Sequence, residues 1–315
     1  MSDIDHNGDP CGGCSSGTFT AKDYRSDLKP IWCPGCGDFG VLTALHRVLA
    51  KIGRPPHEVA LVSGIGCSSR IPGYTTVFGF NTVHGRALPI AQGIKLANPE
   101  LLVLVAGGDG DGFSIGGGHV PHAIRRNVDI TYIVMDNQIY GLTKGQLSPT
   151  SARGSRTSSS TYGSIEEPVN PLLYCLAYGA GFVAQGAPSD LDGLVNLIEE
   201  GIRYPGFALI NVQSPCITFG QAEAQLKNQK GRMVKLSDIG HDPADKLKAM
   251  DIAQAYGGEQ IHVGVYYRNP SPPPTYGDEV RLRQEEQQGR ALPPERILEI
   301  FQPKKERVRE AVASS

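Results

Sequence analysis

Hydrophobic residues along the chain follow two alternating patterns, and the alternation predicts a layered α/β fold. Val41, Leu42, Leu45, Val48, Leu49 and Ile52 recur at the spacing of one helix face, and Gly53 with Pro55-Pro56 closes that helix. EVALVS (58–63) then reads as a strand apolar on both faces, LLVLVA (101–106) as a second and DITYIVMD (129–136) as a third. Helices are expected between them, from HGR near residue 87 to Asn98-Pro99, and over about 115–126. Residues 141–168, rich in Ser, Thr and Gly, read as a loop. The stretch 171–213 predicts helix, short strand, helix and the strand FALINVQ; its second helix bears Leu191, Leu194, Val195, Ile198 and Ile202 behind the candidate caps Ser189 and Asp190. Buried strands separated by helices imply an α/β fold with a mostly parallel sheet and helices on both faces.

The same pattern divides the chain into three parts. Residues 1–30 are polar and read as an N-terminal extension, and 31–235 as the domain that carries the chemistry. Residues 236–315 hold one helical stretch near 243–256, the strand-like IHVGVYY, the turn PSPPP and a charged segment to about 310. With so little apolar mass they read as a C-terminal extension wrapping the domain or a partner.

Composition narrows the class. The 315 residues are enough for one substantial core, and a net charge of −2 gives no reason to expect nucleic acid or an acidic membrane surface. No apolar run approaches the ~20 residues a membrane span needs. The start MSDIDHNGDP is unlike a signal peptide, so a cytoplasmic protein is expected. There the seven cysteines stay reduced rather than forming a disulfide framework. Cys175, within LLYCLAYGAGF, reads as core, whereas Cys11, Cys14, Cys33, Cys36, Cys67 and Cys216 follow or sit in turns and call for a metal or redox explanation. WCPGCGD, GIGCSSR and SPCITFG supply four thiolates, which suit either tetrahedral zinc or a [4Fe–4S] cluster; spacing alone leaves that choice open. Cys67 and Cys216 both follow predicted strands, so they can meet at one sheet edge. Cys11 and Cys14, with only His6 nearby, lack the ligands for a second site.

The densest chemical signal runs from Gly108 to Gln146. A buried strand ends at GGDGDG with a helix expected close by, and glycines there let a diphosphate approach backbone N–H groups. Two carboxylates in that turn would repel a diphosphate unless a cation lies between. Asp109 offers one oxygen, and the next strand delivers Asn137 in the turn NQIYG; a backbone carbonyl and two diphosphate oxygens would nearly complete an octahedron around Mg²⁺.

Asn137 stands 27 residues beyond Gly110, the spacing of the thiamine diphosphate signature, and residues 31–220 resemble the β subunits of 2-oxoacid:ferredoxin oxidoreductases. The resemblance implies a thiamine-diphosphate-binding fold. It makes Asp109, Asn137 and the carbonyl of Ile139 the Mg²⁺ ligands, and lays Gly108, Gly110, Asp111, Gly141, Leu142 and Thr143 along the diphosphate. Ile65, Gly66, Cys67, Ser68 and His84 would line the thiamine end. It also assigns Cys33, Cys36, Cys67 and Cys216 to one [4Fe–4S] cluster. His84 would bond the diphosphate or relay a proton, and Arg70 would hold a substrate carboxylate or a coenzyme A phosphate, with Lys144 and Arg86 weaker candidates for the same role. The glutamate that activates thiamine is expected from a separate α subunit, giving αβ or (αβ)2. The implied reaction is CoA-dependent oxidative decarboxylation of a 2-oxoacid with electrons passed to ferredoxin, reversible toward CO₂ fixation. HGRALPIAQGIKLANPELLVLVAGGDGD and RRNVDITYIVMDNQIYGLTKGQLSPTS look most like the 2-oxoglutarate enzymes. Pyruvate or another 2-oxoacid is the alternative substrate. The competing readings are a non-redox thiamine decarboxylase or carboligase with structural zinc, and a cofactor-binding scaffold without electron transfer.

Overall fold

The computed structural model describes residues 19–220 and 229–287. The first amphipathic run forms α1 (Asp38–Ile52), which buries Val41, Leu42, Leu45, Val48 and Leu49. Gly53 ends it in the left-handed region at φ 71°, where a side chain would be strained, and its N–H bonds the Leu49 carbonyl. The apolar runs become β1 (Val59–Ser63), β3 (Leu102–Gly108) and β4 (Ile130–Asp136), with a short strand β2 (Phe78–Asn81) between the first two in sequence. Helix α2 covers Ala87–Ala97. The expected second half follows as α5 (Pro171–Ala177), β7 (Phe182–Gly186), α6 (Leu191–Arg203) and β8 (Phe207–Gln213). Asp190 caps α6 by accepting the Gly193 N–H at 3.2 Å, while the Ser189 hydroxyl lies against Met233 Sδ.

The strands make one eight-stranded sheet in the order β2-β1-β3-β4-β8-β7-β10-β9, where β9 is Met233–Lys235 and β10 is Ile261–Arg268. All its pairings are parallel except that of β10 with β7. Alternate residues of each strand feed two cores. Leu61, Leu104, Ile133 and Ile210 pack with α1 and α6, whereas Val62, Val105, Val134 and Leu209 pack on the other face with α2 and α5. That two-sided burial is why the runs read as continuously apolar.

Three stretches depart from expectation. The helix foreseen over about 115–126 is two pieces, α3 (Asp109–Phe113) and α4 (Val120–Arg125). GDGDG itself forms the first turn, and Gly116–Gly118 cannot carry the helix onward, since glycine costs about 1 kcal/mol per helical position relative to alanine. The loop expected over 141–168 is entered by a small antiparallel hairpin, β5 (Ile139–Tyr140) with β6 (Gln146–Leu147). The chain foreseen to leave its domain near residue 235 instead stays in the sheet. β10 pairs with both β7 and β9, helix α7 (Lys246–Ala253) joins the α5 side of the core, and the compact unit runs through Gly277. A second unit begins at Asp278; its described residues continue the charged helix Tyr276–Glu286. The region of Cys11, Cys14 and His6, like the tail beyond residue 287, lies outside the described residues. No described helix is long and apolar enough to cross a membrane.

Candidate functional site

Four strands end on the same edge of the sheet, and each hands the chain to a turn with chemical content. β1 leads into Gly64–Ser68, β3 into Asp109–Asp111, β4 into Asn137–Thr143 and β8 into Ser214–Cys216. The carboxyl ends of parallel strands are where open α/β sheets bind ligands. A cleft of about 400 Å³ opens there, lined by Ile65, Gly66, Cys67, Ser68, His84, Gly108, Asp109, Gly110, Asp111, Asn137, Ile139, Gly141, Leu142 and Thr143. These are the residues expected to meet the cofactor. Asp38, Met135, Tyr140 and Gln146 also line it and were not foreseen. Tyr140 sits inside the NQIYG motif and Asp38 ends WCPGCGD, so the sequence carried a signal for both; Met135 and Gln146 gave none.

One end of the cleft is built from carboxylates held by backbone. Asp109 is buried at the start of α3, its Oδ1 accepts the Asn137 N–H at 3.3 Å, and its Oδ2 accepts the Thr150 hydroxyl at 2.6 Å. The Asn137 side-chain oxygen accepts the Ile139 N–H at 3.0 Å, which closes the turn between β4 and β5. Asp111 Oδ1 receives two backbone donors, Ile65 N at 2.9 Å and Gly85 N at 2.7 Å, and so joins three loops. The Asp111 carboxylate leaves no room at Gly64, where a Cβ would come within 2.0 Å of its oxygen. Burial raises both Asp109 and Asp111 above the usual carboxylate range, opposed by these donors. Among the described residues no ion pair reaches Asp109. A buried carboxylate beside an amide oxygen and a turn carbonyl is a donor set that a hard divalent cation fits. α3 is a single turn, so backbone N–H groups rather than a long helix dipole face the cleft there.

Sulfur lines the wall of the same cleft, next to Asn137, whose side-chain nitrogen would lie 3.9 Å from a Cβ on Gly141. A Cβ placed on Gly141 would lie 3.5 Å from Cys216 Sγ and 3.8 Å from Cys67 Sγ, so both thiols flank one point at the cleft wall. Cys36 feels the charges of Cys67 and Cys216, and Cys67 those of Cys216 and Cys33, which ties the four predicted cysteines into one neighbourhood. Burial pushes the Cys67 thiol up to about 11 and raises Cys36 further, with Asp38 adding to both. Asp38 is itself buried, accepts the Ser214 hydroxyl at 3.0 Å and is raised by burial to about 6. Among the described residues no three Cys, His, Asp or Glu side chains stand close enough to share one metal ion. The indole N–H of Trp32, the chain's one tryptophan, donates to the Cys67 carbonyl at 2.8 Å, and its ring meets Phe39 and Tyr74 edge-on. Cys175 is fully buried in α5 and takes no part.

His84 lines the cleft half-buried, its ring 6.0 Å from that of Tyr140. Arg70 does not line it: the guanidinium is exposed on the turn of helix after Cys67. Lys144 is exposed at φ 78°, beyond the cleft wall.

Comparison with known proteins gives the chain a family. A family described as thiamine pyrophosphate enzyme, C-terminal TPP binding domain, matches residues 64–212, and a second family, the C-terminal region of the pyruvate ferredoxin oxidoreductase beta subunit, matches 216–284. Subunit beta of 2-oxoacid:ferredoxin oxidoreductase 1 from Aeropyrum pernix is 41% identical over 257 residues, covering 78% of this chain and 80% of its own. The 2-oxoglutarate synthase subunit KorB of Methanocaldococcus jannaschii is 42% identical over 246 residues, with 78% and 90% covered. The structure of 2-oxoglutarate:ferredoxin oxidoreductase from Magnetococcus marinus, with 2-oxoglutarate, coenzyme A and succinyl-CoA bound, superposes with a TM-score of 0.83 at 40% identity, over 90% of this chain and 97% of that one.

Proposed function

This chain belongs to the family of 2-oxoacid:ferredoxin oxidoreductase β subunits, and from that premise we propose that with its α subunit it converts 2-oxoglutarate and coenzyme A to succinyl-CoA and CO₂. Two oxidised ferredoxins are reduced in the same turnover and one proton is released. The observation that carries the reading is one cleft that brings a hard oxygen donor set and gathered thiols together. When bound, thiamine diphosphate supplies the carbon that takes up the 2-oxoacid carbonyl and the electron sink that lets CO₂ depart.

The chain's own residues divide the work. Asp109, Asn137 and the Ile139 carbonyl hold Mg²⁺ against the diphosphate, and the turn that bears two of them is closed by its own hydrogen bond before any metal arrives. Asp111 keeps the loops after β1 and β3 in register, so that Gly64–Ser68 forms the thiamine wall. His84 faces the cleft to bond the diphosphate or relay a proton. Arg70, exposed outside the cleft, suits a coenzyme A phosphate arriving from outside better than a carboxylate buried within it. Cys33, Cys36, Cys67 and Cys216 would hold one [4Fe–4S] cluster, which would supply a one-electron acceptor, and Cys67 belongs to the cleft wall as well. Among the described residues the cleft lining offers Asp38, Asp109 and Asp111 but no glutamate, in keeping with an activating glutamate that comes from the α subunit at a shared interface.

Pyruvate is the second reading, because the family matched over 216–284 is named for the pyruvate enzyme. Anaerobic purification of the chain with its α subunit, followed by CoA-dependent viologen reduction with each 2-oxoacid and an iron count, decides. Faster reduction with 2-oxoglutarate and about four irons per β chain are expected. Preference for pyruvate would overturn the substrate, and zinc in place of iron without reduction would overturn the redox chemistry.

A further inference from the structure

Tyr256 comes from the turn after α7, in the stretch whose sequence suggested an extension, yet it reaches the underside of the metal turn. Its hydroxyl donates to Asp136 Oδ2 and accepts from Gln138 Nε2 at 3.5 Å. One oxygen therefore touches the residues on both sides of Asn137. The turn it touches needs holding, because Gln138 sits at φ 59°, in the left-handed region without being a glycine. Such backbone persists only where its surroundings fix it. Ser151 Oγ donates to the Gln138 carbonyl at 2.6 Å, and Asn211 and Gln213 donate to Asp136 Oδ2 at 3.2 and 3.0 Å. The other Asp136 oxygen lies 3.3 Å from the Thr150 hydroxyl, which donates to Asp109. Close polar contacts thus link Tyr256 through Asp136 and Thr150 to the buried carboxylate of Asp109.

Tyr256 is itself anchored. Its N–H bonds the Ala253 carbonyl at 3.1 Å, and that carbonyl also accepts the Asn170 side chain at 2.7 Å. The Arg232 guanidinium grips the carbonyls of Gly258 and Glu259 at 2.9 and 2.6 Å, which fixes the turn just beyond the tyrosine. A packing residue would need only the ring; the hydroxyl, aimed at both neighbours of a metal ligand, needs a different explanation.

We propose that Tyr256 is a positioning residue that presets the Asn137–Ile139 turn through Asp136 and Gln138, and thereby sets how little Mg²⁺ suffices to bind thiamine diphosphate. This rests on the cofactor reading above and adds to it a duty for the C-terminal segment. Outer hydrogen bonds of this kind change metal affinity by roughly 10–100-fold when removed.

The test uses the αβ complex stripped with chelator and given thiamine diphosphate at graded Mg²⁺, with bound thiamine measured after rapid gel filtration. In Tyr256→Phe the half-saturating Mg²⁺ is expected to rise roughly tenfold, while bound thiamine and turnover at saturating Mg²⁺, iron content and melting temperature stay native. Gln138→Met, which removes the amide on the other side of the hydroxyl and leaves Tyr256 in place, is expected to give a smaller rise in the same direction. Thr150→Ser should bind as the native complex does, and Thr150→Val should need more Mg²⁺. An unchanged Mg²⁺ requirement in folded Tyr256→Phe overturns the proposal, as does a loss that saturating Mg²⁺ cannot restore. If Tyr256→Phe does not fold, an unchanged requirement in Gln138→Met overturns it instead. A native complex that keeps thiamine diphosphate regardless of Mg²⁺ sinks the cofactor reading, and this inference with it.

Discussion

The oxygen end and the sulfur end of the cleft are made by different means. At the oxygen end Asp109, Asp111 and Asn137 each accept a backbone N–H. At the sulfur end the four cysteines come from three separate turns, and burial keeps the Cys36 and Cys67 thiols protonated well past neutrality. Among the described residues nothing there resembles a finished single-ion site. The contrast teaches that main-chain donors hold the oxygen ligands, while the thiols depend on three separate turns meeting. Assembly of the proposed cluster should then depend on delivery of iron to thiols that must first give up their protons.

Independence of the two ends is the sharpest consequence, and cysteine substitution is its strongest test. Cys67→Ser and Cys216→Ser should each remove nearly all iron and all viologen reduction, yet leave Mg²⁺-dependent thiamine diphosphate binding within a few-fold of native. Parallel loss of thiamine binding would show the ends to be one structure. Asp109→Asn should do the converse, with native iron and thiamine diphosphate binding weakened by about 3–5 kcal/mol, the range for removing one partner of a buried charge pair; an affinity within threefold of native would strike Asp109 from the metal site. Gly64→Ala should touch both, because a methyl there displaces the Asp111 carboxylate that ties the Cys67 loop to the Gly85 loop. A stability loss of about 1–3 kcal/mol, read from denaturant unfolding, is expected together with weaker cofactor binding, and a neutral result would mean that Asp111 shifts without consequence.

The smallest effect is with pH. Asp109 and Asp136 share Thr150, and burial raises both carboxyls above their ordinary values. An acid raised in the folded state holds its proton to higher pH, so its contribution to stability is present below the usual carboxylate pKa and lost as pH rises through the raised one. Metal needs the anion. Mg²⁺ affinity should therefore fall as pH drops through the raised range of Asp109, by at most about tenfold per pH unit for one linked proton, with proton release on binding. Titration calorimetry in two buffers of different ionisation enthalpy measures that release, and a release that does not grow as pH is lowered would break the sign.

Much of the scaffold was legible because burial writes itself into composition. β1, β3 and β4 lie inside the sheet with both faces covered, so they read as unbroken apolar runs. β2 was missed because the edge strand FGFN is exposed along its whole length. The stretch IHVGVYY announced a strand, but its place between β7 and β9 depends on long-range register that no local pattern encodes. At the cleft, the residues that touch the cofactor position stood in recognisable motifs. The supports did not. Thr150 lies within a Ser/Thr-rich stretch that looks like any loop, and Tyr256 is 119 positions from Asn137. What local sequence conceals is whatever works through a neighbour.

The bond from Trp32 to the Cys67 carbonyl has an optical consequence. It fastens the chain's one indole to the loop that bears Cys67, one of the four thiols proposed to hold the cluster. An iron–sulfur chromophore absorbs across the near ultraviolet and visible, so excitation of an indole held that close drains into it rather than escaping as light. Tryptophan emission from this chain should accordingly gauge the proposed iron: bright while the thiols are bare, dim once they are filled, and recovering as oxygen destroys the cluster.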